Sequence, residues 1–296
     1  MLREQEDRDA AAVVALRLEA DDSSVLSEAG WLHYRRHLNP RERALGLVAE
    51  VDGSVVGMGN SGLNITTTTP GAAWLNVRVT ASHRRQGIGS QLHEALLAHL
   101  AEIGATNATS FIRWTEEGER WASARGWKRL LTGPLIARNL DDVPEPSLPP
   151  GFTCVSIGEF DQPEAVYELT RLAMLDEPRP VPLDDFRYED WLNEWTDPDL
   201  DRSASALVLY GDVPVAFSYV NAAGDRATHA GTGTHPDYRG RGLATGAKRF
   251  ALRALAAEGV KRITTSNAEE NAAMRAINRR LGFEQIGEHV ILGRDL

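Results

Sequence analysis

One short pattern, Arg-x-x-Gly-x-(Gly or Ala), occurs twice in this chain, as Arg84-Arg85-Gln86-Gly87-Ile88-Gly89 and as Arg239-Gly240-Arg241-Gly242-Leu243-Ala244. Each copy follows a strand-like segment and precedes a run of residues with helical spacing. Small residues let the backbone turn tightly and expose successive N–H groups at the start of the helix. Because unpaired amides and the helix dipole both favour negative charge, each copy predicts a cradle for a pyrophosphate group.

The sequence around the two copies repeats as well, at an offset of 155 or 156 positions. A helical run follows each copy, and each half later contains a glycine followed by an aromatic residue, as Gly126-Trp127 and as Gly282-Phe283. An internal repeat of this length indicates a duplicated domain. We therefore predict an N-terminal domain over residues 1–140, a proline-rich linker over 141–150 and a C-terminal domain over 151–296.

The composition excludes several classes of protein. The net charge of the 296 residues is −10, whereas a general nucleic-acid-binding protein carries a basic patch. The single cysteine, Cys154, excludes an intramolecular disulfide and a cysteine-rich metal site, and we predict no metal. No secretion signal is recognised, and no apolar run approaches the ~18 residues that a membrane span needs. We expect a cytoplasmic protein that binds neither nucleic acid nor a membrane.

The spacing of apolar residues predicts strands that alternate with helices in both halves. Two-residue turns at Asp52-Gly53 and Gly211-Asp212 predict hairpins among the first strands of each half. The predicted class is therefore α/β, with two tandem domains in which helices pack on a mixed sheet. A dinucleotide-binding domain of parallel strands is excluded, because neither copy has the order Gly-x-Gly-x-x-Gly.

The second half contains further residues in an order that is typical of one family. The cradle follows His235-Pro236-Asp237-Tyr238, and after it come Asn267, Asn271, Met274, Asn278 and Leu281-Gly282-Phe283. This order resembles the GNAT superfamily of acetyl-CoA-dependent N-acetyltransferases, and the first half is similar through Arg84–Gly89 and Gly126-Trp127. The tandem plan resembles that of mycothiol synthase-like proteins of actinobacteria.

The resemblance implies acetyl-CoA as the cofactor. Amides of the cradle would hold its pyrophosphate, and the strand before the cradle would splay from its neighbour to pair with the pantetheine arm. An amide near Gly233 or Thr234 would polarise the thioester carbonyl. Asn271 would contact the pantetheine or cap its own helix, and both roles stay open. The implied cofactor-binding residues are Thr232, Gly233, Thr234, Arg239, Gly240, Arg241, Gly242, Leu243, Ala244, Asn267, Asn271 and Met274, with Arg84, Arg85, Gln86, Gly87, Ile88 and Gly89 in the first half.

Two residues of the second half are predicted to act in catalysis. Asn278 stands where many members of the family have a tyrosine that reprotonates the leaving thiolate; asparagine is no acid, but its NH₂ group can hydrogen-bond the sulfur. His229 is the predicted base, because a group that titrates near pH 7 suits an amine that must lose a proton. Purely structural roles remain the alternative for both. Tyr219 is a weaker candidate for the base, and His235 is expected to bound a turn.

The first half departs further from the family pattern. Its strand before the cradle carries Arg78 among apolar residues, and its short helix, predicted over residues 116–125, has neither the asparagine nor a tyrosine. The cradle itself is intact. We predict a degenerate domain that binds coenzyme A without turnover or serves a structural role, and we assign catalysis to the second half.

The leading hypothesis is N-acetylation of the primary amine of a small molecule. Aromatic and acidic residues from Phe186 to Trp195 are a candidate wall of the acceptor pocket, with packing in the core as the alternative. Two other functions stay open: acetylation of a protein lysine or N-terminus, and non-catalytic, regulatory binding of acyl-CoA. The expected partner is the small amine, and a homodimer is left open.

Overall fold

The computed structural model describes residues 1–175 and 177–296. These residues form two compact units. The N-terminal unit consists of Met1–Gly133, Arg179–Phe186 and Gly287–Leu296, and the C-terminal unit consists of Pro134–Pro178 and Arg187–Ile286. The domains predicted from the sequence were continuous stretches of chain. The N-terminal unit, by contrast, also contains Arg179–Phe186 and Gly287–Leu296 from the second half, and the C-terminal unit already begins at Pro134.

The N-terminal unit is a mixed sheet with four helices. Its strands are β1 (Leu2–Glu4), β2 (Leu45–Val51), β3 (Ser54–Leu63), β4 (Ala72–Val79), β5 (Asn107–Arg113) and the end of β12 (Glu284–Asp295). They lie in the order β1-β2-β3-β4-β5-β12, and only β4 and β5 pair in parallel. Its helices are α1 (Ala10–Ala20), α2 (Glu28–Arg36), α3 (Ile88–Glu102) and α4 (Glu116–Ser123).

The C-terminal unit has the same plan. Its strands are the end of β6 (Lys128–Asn139), β7 (Phe152–Ser156), β8 (Ala206–Tyr210), β9 (Val213–Ala223), β10 (Arg226–Thr234) and β11 (Arg262–Ser266). They lie in the order β7-β8-β9-β10-β11-β6, and β10 and β11 are the parallel pair. Its helices are α5 (Pro163–Met174), α6 (Tyr188–Trp195), α7 (Leu243–Ala257) and α8 (Ala272–Arg280).

In each unit, the strand next to the parallel pair comes from an unexpected part of the chain. In the N-terminal unit β5 pairs with β12, the final strand of the sequence, where His289 faces Arg113. In the C-terminal unit β11 pairs with β6, where Leu135 faces Ser266. The pattern of apolar residues indicates where a strand lies but not which strand it pairs with. The free edges of β5 and β11 present the same unpaired backbone groups, so either could accept the incoming strand.

The helices and turns agree with the expectations from spacing. Leu92, Leu96 and Leu100 of α3 are fully buried against the N-terminal sheet, and Leu252 and Leu255 of α7 are buried in the second core. Gly53 and Gly211 have positive φ values of 78° and 60° at the two hairpin turns. The predicted α/β class with two mixed-sheet domains is confirmed.

Two kinds of feature are not found in residues 1–175 and 177–296. None of their helices combines the length and the apolar character that a membrane span requires. No group of three or more His, Cys, Asp or Glu side chains in this part of the chain is placed to hold a metal ion.

Candidate functional site

The second cradle lies between β10 and α7. The loop takes left-handed backbone conformations at Gly240 and Gly242, with φ values of 76° and 79°, and α7 begins directly after it. The Arg239 Nε atom donates a hydrogen bond to the carbonyl oxygen of Thr234, 3.3 Å away, and so ties the loop to the end of β10. Glycine adopts these φ values without the strain that a residue with a side chain would carry.

The first cradle repeats this geometry between β4 and α3. The Arg84 Nε atom donates to the carbonyl oxygen of Val79 at 3.2 Å, five residues back as in the second copy. Gly87 has a φ of 85° and precedes α3. Arg85 takes the place of Gly240 with a φ of 62°, a left-handed conformation that costs a non-glycine residue roughly 1–2 kcal/mol. The first cradle therefore keeps its shape in spite of local strain.

Both cradles have room for an anion. A Cβ atom added to Gly87, Gly240 or Gly242 would meet no described atom within 4 Å, so open space lies over the loops. The first N–H groups of α3 and α7 lack partners within their helices, as at every helix start. Exposed amides beside open space fit the pyrophosphate of a coenzyme A molecule.

The strand before each cradle separates from its parallel neighbour. β10 pairs with β11 only over Arg226–Thr228, and β4 pairs with β5 only over Ala72–Trp74, as far as the described residues show. The later residues of β10 and β4 stay paired on their other side, with β9 and β3. Each sheet therefore opens into a wedge that leads to its cradle and leaves one row of backbone groups available to a ligand.

The predicted asparagines of the C-terminal unit lie on α8 and just after the end of β11. Asn278, on α8, donates from Nδ2 to Oδ1 of Asn267 at 2.7 Å, just after the end of β11. Its own Oδ1 atom is buried and has no hydrogen-bond partner among the described residues. Asn271 caps α8, because its Oδ1 accepts from the Met274 N–H at 3.1 Å. Met274 is half-buried beside the cap.

The backbone around Gly233 has a structural requirement of its own. A Cβ atom at Gly233 would lie 2.4 Å from the Ala173 Cβ of α5 and 2.8 Å from the Phe217 ring. Glycine is therefore required by the close approach of α5. Leu243 is buried in the core against Ala247, whereas Ala244 is half-buried on the first turn of α7.

His229 belongs to a buried polar cluster, which we call the β10 cluster: Ser218, His229, Thr232 and Lys248. The Ser218 Oγ atom lies 3.2 Å from His229 Nδ1 and 3.3 Å from Thr232 Oγ1. The Lys248 Nζ atom, on α7, donates to Thr232 Oγ1 at 3.5 Å. The His229 Nε2 atom is buried without a partner in the part of the chain that the structure describes. Thr232 is half-exposed, whereas Ser218, His229 and Lys248 are buried.

Burial governs the protonation of this cluster. Burial and the nearby Lys248 charge hold the pKa of His229 well below its usual value. Burial also lowers the pKa of the Lys248 amine to about 7. The imidazole is therefore neutral at pH 7, but its low pKa makes it a weaker base than the group titrating near pH 7 that the sequence predicted. The group of this cluster whose pKa lies near 7 is the Lys248 amine. The sequence analysis did not predict a role for Lys248. Its position does place it on the buried face of α7, because Ala251 follows it by three residues and Leu252 by four.

The Lys248 amine gives a first prediction. Its pKa is about 7 in the folded protein and 10.5 in the unfolded chain, so the unfolded state binds more protons between these values and stability rises with pH across that window. Lys248→Met is expected to be more stable than the parent at pH 6, by about 1–4 kcal/mol, and to lose this rise. Urea unfolding from pH 6 to 10 measures both effects.

The control for this prediction is Lys261→Met, because Lys261 is exposed. That variant should keep the pH dependence of the parent. A Lys248→Met protein with the same slope as the parent would show that the amine titrates normally.

The remaining candidates of the C-terminal unit are held by other contacts. The Tyr219 hydroxyl is 2.8 Å from Thr170 Oγ1, and burial raises the pKa of Tyr219 above its usual value. His235 Nδ1 accepts from the Asp237 N–H at 3.3 Å and bounds a turn, as predicted. Trp191 and Trp195 of α6 are buried and stacked, with ring centroids 5.0 Å apart. These two residues therefore pack in the core, which was the alternative to a wall of the acceptor pocket.

The N-terminal unit contains a cavity of about 670 Å³ at its cradle. β4, the cradle and α4 line it, and predicted residues Arg84, Arg85, Gly87 and Gly89 are among its walls. Ile88 is buried below it, and Gln86 Nε2 donates to the Ser82 carbonyl oxygen at 3.3 Å. The first cradle thus opens into a cavity whose volume is within the range of small-molecule binding sites.

Comparison with known proteins agrees with this geometry. The family model described as "Acetyltransferase (GNAT) family" matches residues 11–122 and 165–283. Among curated proteins, none matches the chain by sequence.

Two solved structures are similar over the whole chain. A GCN5-related N-acetyltransferase from Sphaerobacter thermophilus has a TM-score of 0.73 and 18% identity, covering 100% of this chain and 95% of that one. A tandem GNAT protein from the clavulanic acid biosynthesis pathway has a TM-score of 0.74 and 19% identity, covering 100% and 98%. At these identities the likeness shows the fold, and it confirms the predicted tandem arrangement.

Proposed function

This chain belongs to the GNAT family of acetyltransferases, and on that premise we propose that its C-terminal unit transfers the acetyl group of acetyl-CoA to the primary amine of a small molecule. The observation that carries the proposal is the combination, in one unit, of an open cradle, a splayed strand and a neutral buried imidazole. The cytoplasmic location remains a prediction from the sequence.

The cradle and the wedge would hold the donor. The amides of Gly240, Gly242 and the first turn of α7 would bind the pyrophosphate, and the side chains of Arg239 and Arg241 would screen its charge. The unpaired edge of β10 over Thr232–Thr234 would pair with the pantetheine arm. When bound, acetyl-CoA supplies an acetyl group activated as a thioester. An N–H group of β10, fixed in place before the reaction, would stabilise the charge that develops on its carbonyl oxygen.

The β10 cluster offers a path for the proton of the acceptor. An amine that attacks a carbonyl carbon must give up a proton, and a neutral imidazole can take it. Thr232, half-exposed on β10, is linked through Ser218 Oγ to His229 Nδ1, with steps of 3.3 and 3.2 Å. Hydroxyl groups can pass a proton along such a chain because each is both donor and acceptor. We therefore keep His229 as the base, acting through Ser218 and Thr232.

Asn278 would contact the donor with the amide atom that Asn267 does not use. One end of its side chain is held by Asn267, and the other is buried without a partner in the described part of the chain. A buried polar atom without a partner is unfavourable, so a ligand that satisfies it gains affinity. Oxygen and nitrogen of the amide are assigned from such contacts, and the site suits either the pantetheine amide or the sulfur.

The N-terminal unit would bind coenzyme A without turnover. Its cradle has the same backbone path and the same arginine-to-carbonyl hydrogen bond as the second. Its α4 lacks an asparagine, and the residue that corresponds to His229 is Trp74. The unit therefore retains the features that hold the donor and lacks the features assigned to catalysis.

The test is an activity assay with the full-length chain. Acetyl-CoA is mixed with a panel of small primary amines, and thiol release and N-acetylated product are measured together. We expect product with at least one small amine and none with a lysine-containing peptide. Product on the peptide alone would favour a protein acetyltransferase, and tight binding of acetyl-CoA with no product on any amine would contradict an enzymatic function.

A further inference from the structure

The cavity of the N-terminal unit is unusually cationic for a chain with a net charge of −10. Only two acidic residues, Asp21 and Glu117, are among its described lining residues. Six arginines line it: Arg78, Arg84, Arg85, Arg113, Arg120 and Arg125. The cradle accounts for Arg84 and Arg85, because a pyrophosphate would lie beside them. Arg78 has no such explanation.

Arg78 lies on the opposite face of β4 from the residues that pack on α3. Leu75, Val77 and Val79 contact the core that α3 completes. Side chains alternate along a strand, so Arg78 projects to the α1 side of the sheet. The cavity thus has a cradle side, where the donor phosphates would bind, and an α1 side that contains Arg78.

The Arg78 guanidinium has no hydrogen-bond partner among residues 1–175 and 177–296, and a second arginine lies close behind it. Burial, together with the positive charge of Arg17 on α1, lowers the pKa of Arg78 to about 10. The Arg17 Nε atom is itself buried and finds no partner in the described residues. Arg78 is half-exposed and lines the cavity, and neither arginine donates a hydrogen bond to an acid in the described part of the chain.

Asp21 is the nearest acid, and its oxygens are already used. Its Oδ2 atom is 2.8 Å from His289 Nε2, and its Oδ1 accepts from Ser23 Oγ at 2.6 Å and from the Ser23 N–H at 3.0 Å. Burial opposes ionisation of Asp21, but these hydrogen bonds lower its pKa to about 2. The one negative charge of Asp21 thus stands against the two positive charges of Arg17 and Arg78. The Arg113 Nη1 atom lies 3.3 Å from Asp22 Oδ1 and 3.9 Å from Asp21 Oδ1, so Asp22 supplies the nearer charge to Arg113.

A partly desolvated guanidinium whose hydrogen-bond donors are unused gains from a ligand that supplies an acceptor with a negative charge. We propose that the α1 side of this cavity binds a carboxylate group through Arg78, so that the N-terminal unit recognises a carboxylate-bearing ligand. A monoanion balances the local excess of one positive charge, whereas a phosphate dianion would also face Asp21. The planar fork of an arginine matches a carboxylate with two parallel hydrogen bonds.

The carboxylate can belong to the acyl chain of the donor or to a separate small molecule. The proposal rests on the proposed function in one respect, namely that coenzyme A binds on the cradle side of the cavity. Its test measures binding and needs no turnover. Two matched pairs of probes separate the sources: succinyl-CoA against butyryl-CoA, and N-acetylglycine against N-acetylglycinamide in the presence of coenzyme A. Members of each pair differ chiefly in the negative charge.

The experiment measures binding by calorimetry and thermal unfolding with the full-length chain, its Arg78→Met variant and, as a second substitution, Arg78→Gln. In the parent we expect the carboxylate member of one pair to bind at least roughly tenfold more tightly than its neutral partner. Both substitutions should abolish that preference and leave the affinity for coenzyme A within twofold. Without ligand, Arg78→Met should unfold at a higher temperature than the parent, because a partly desolvated charge beside the positive charge of Arg17 is gone.

The control is Arg36→Met, on the exposed side of α2 and outside the cavity, which should keep the preference of the parent. The pair that shows the preference identifies the source of the carboxylate. No preference in either pair, or a preference that persists without the Arg78 guanidinium, would overturn the proposal. A lower unfolding temperature of both ligand-free variants would also overturn it, since Arg78 would then have a partner within the protein.

Discussion

Gly242→Trp is expected to lower amine-dependent thiol release by at least about 100-fold at subsaturating acetyl-CoA. The indole ring would fill the open space over the second cradle, where no described atom lies within 4 Å of the Cβ position. Charge-assisted hydrogen bonds to the pyrophosphate would be lost, each worth about 1.5–3 kcal/mol. Loss of two such bonds is sufficient for the expected effect, which initial rates over a range of acetyl-CoA concentrations would measure.

The chain offers a matched comparison for this variant, because Gly87 is its counterpart in the first cradle. The two glycines have φ values of 79° and 85°, both directly precede a helix, and both face open space. The backbone strain caused by tryptophan should therefore be similar. If catalysis belongs to the C-terminal unit, Gly87→Trp retains turnover within a few-fold. Loss of turnover in Gly87→Trp alone would move the chemistry to the N-terminal unit.

His229→Ala is expected to lower kcat by about 10²–10⁴, the usual contribution of a general base. The pKa of His229 lies well below its ordinary value, so the imidazole of the parent is unprotonated throughout the neutral range and becomes protonated, and unavailable as a base, only in acid. The acidic limb of the pH–rate profile should therefore disappear in the variant. Product formation from pH 5 to 9 at saturating acetyl-CoA measures both effects.

The route through the hydroxyl groups has its own variants. Ser218→Ala and Thr232→Val interrupt the chain of hydrogen bonds and should each lower kcat by roughly tenfold or more while acetyl-CoA still binds. His37→Ala, an exposed histidine at the end of α2, serves as the control. Unchanged kcat in His229→Ala, with binding of acetyl-CoA intact, would reduce His229 to a structural role.

Much of the fold could be predicted because it is encoded locally. The hairpin turns at Asp52-Gly53 and Gly211-Asp212, the stripe of leucines on α3 and the glycines of the two cradles each depend on a few neighbouring residues. The pairing of β12 with β5 and of β6 with β11 could not be predicted in the same way. β6 and β12 carry equivalent patterns in equivalent places of the repeat, and the choice between two similar sheet edges depends on the folded chain.

The candidate site shows the same division. Asn267 and Asn278 were each predicted to contact the donor, but only the structure brings them within 2.7 Å of each other. Lys248 was missed because a single lysine in a helix is normally taken to face solvent. Arg78 was noticed as a charge among apolar residues, but the charges that act on it are those of Arg17 and Asp21, which are distant in sequence.

The central claim is that both halves of the chain hold coenzyme A in equivalent cradles. The most direct test is to count acetyl-CoA molecules per chain by native mass spectrometry. The account predicts two for the parent, one for Gly87→Trp, one for Gly242→Trp and none for the double variant. Two molecules bound to the double variant, or a single molecule bound to the parent, would contradict it.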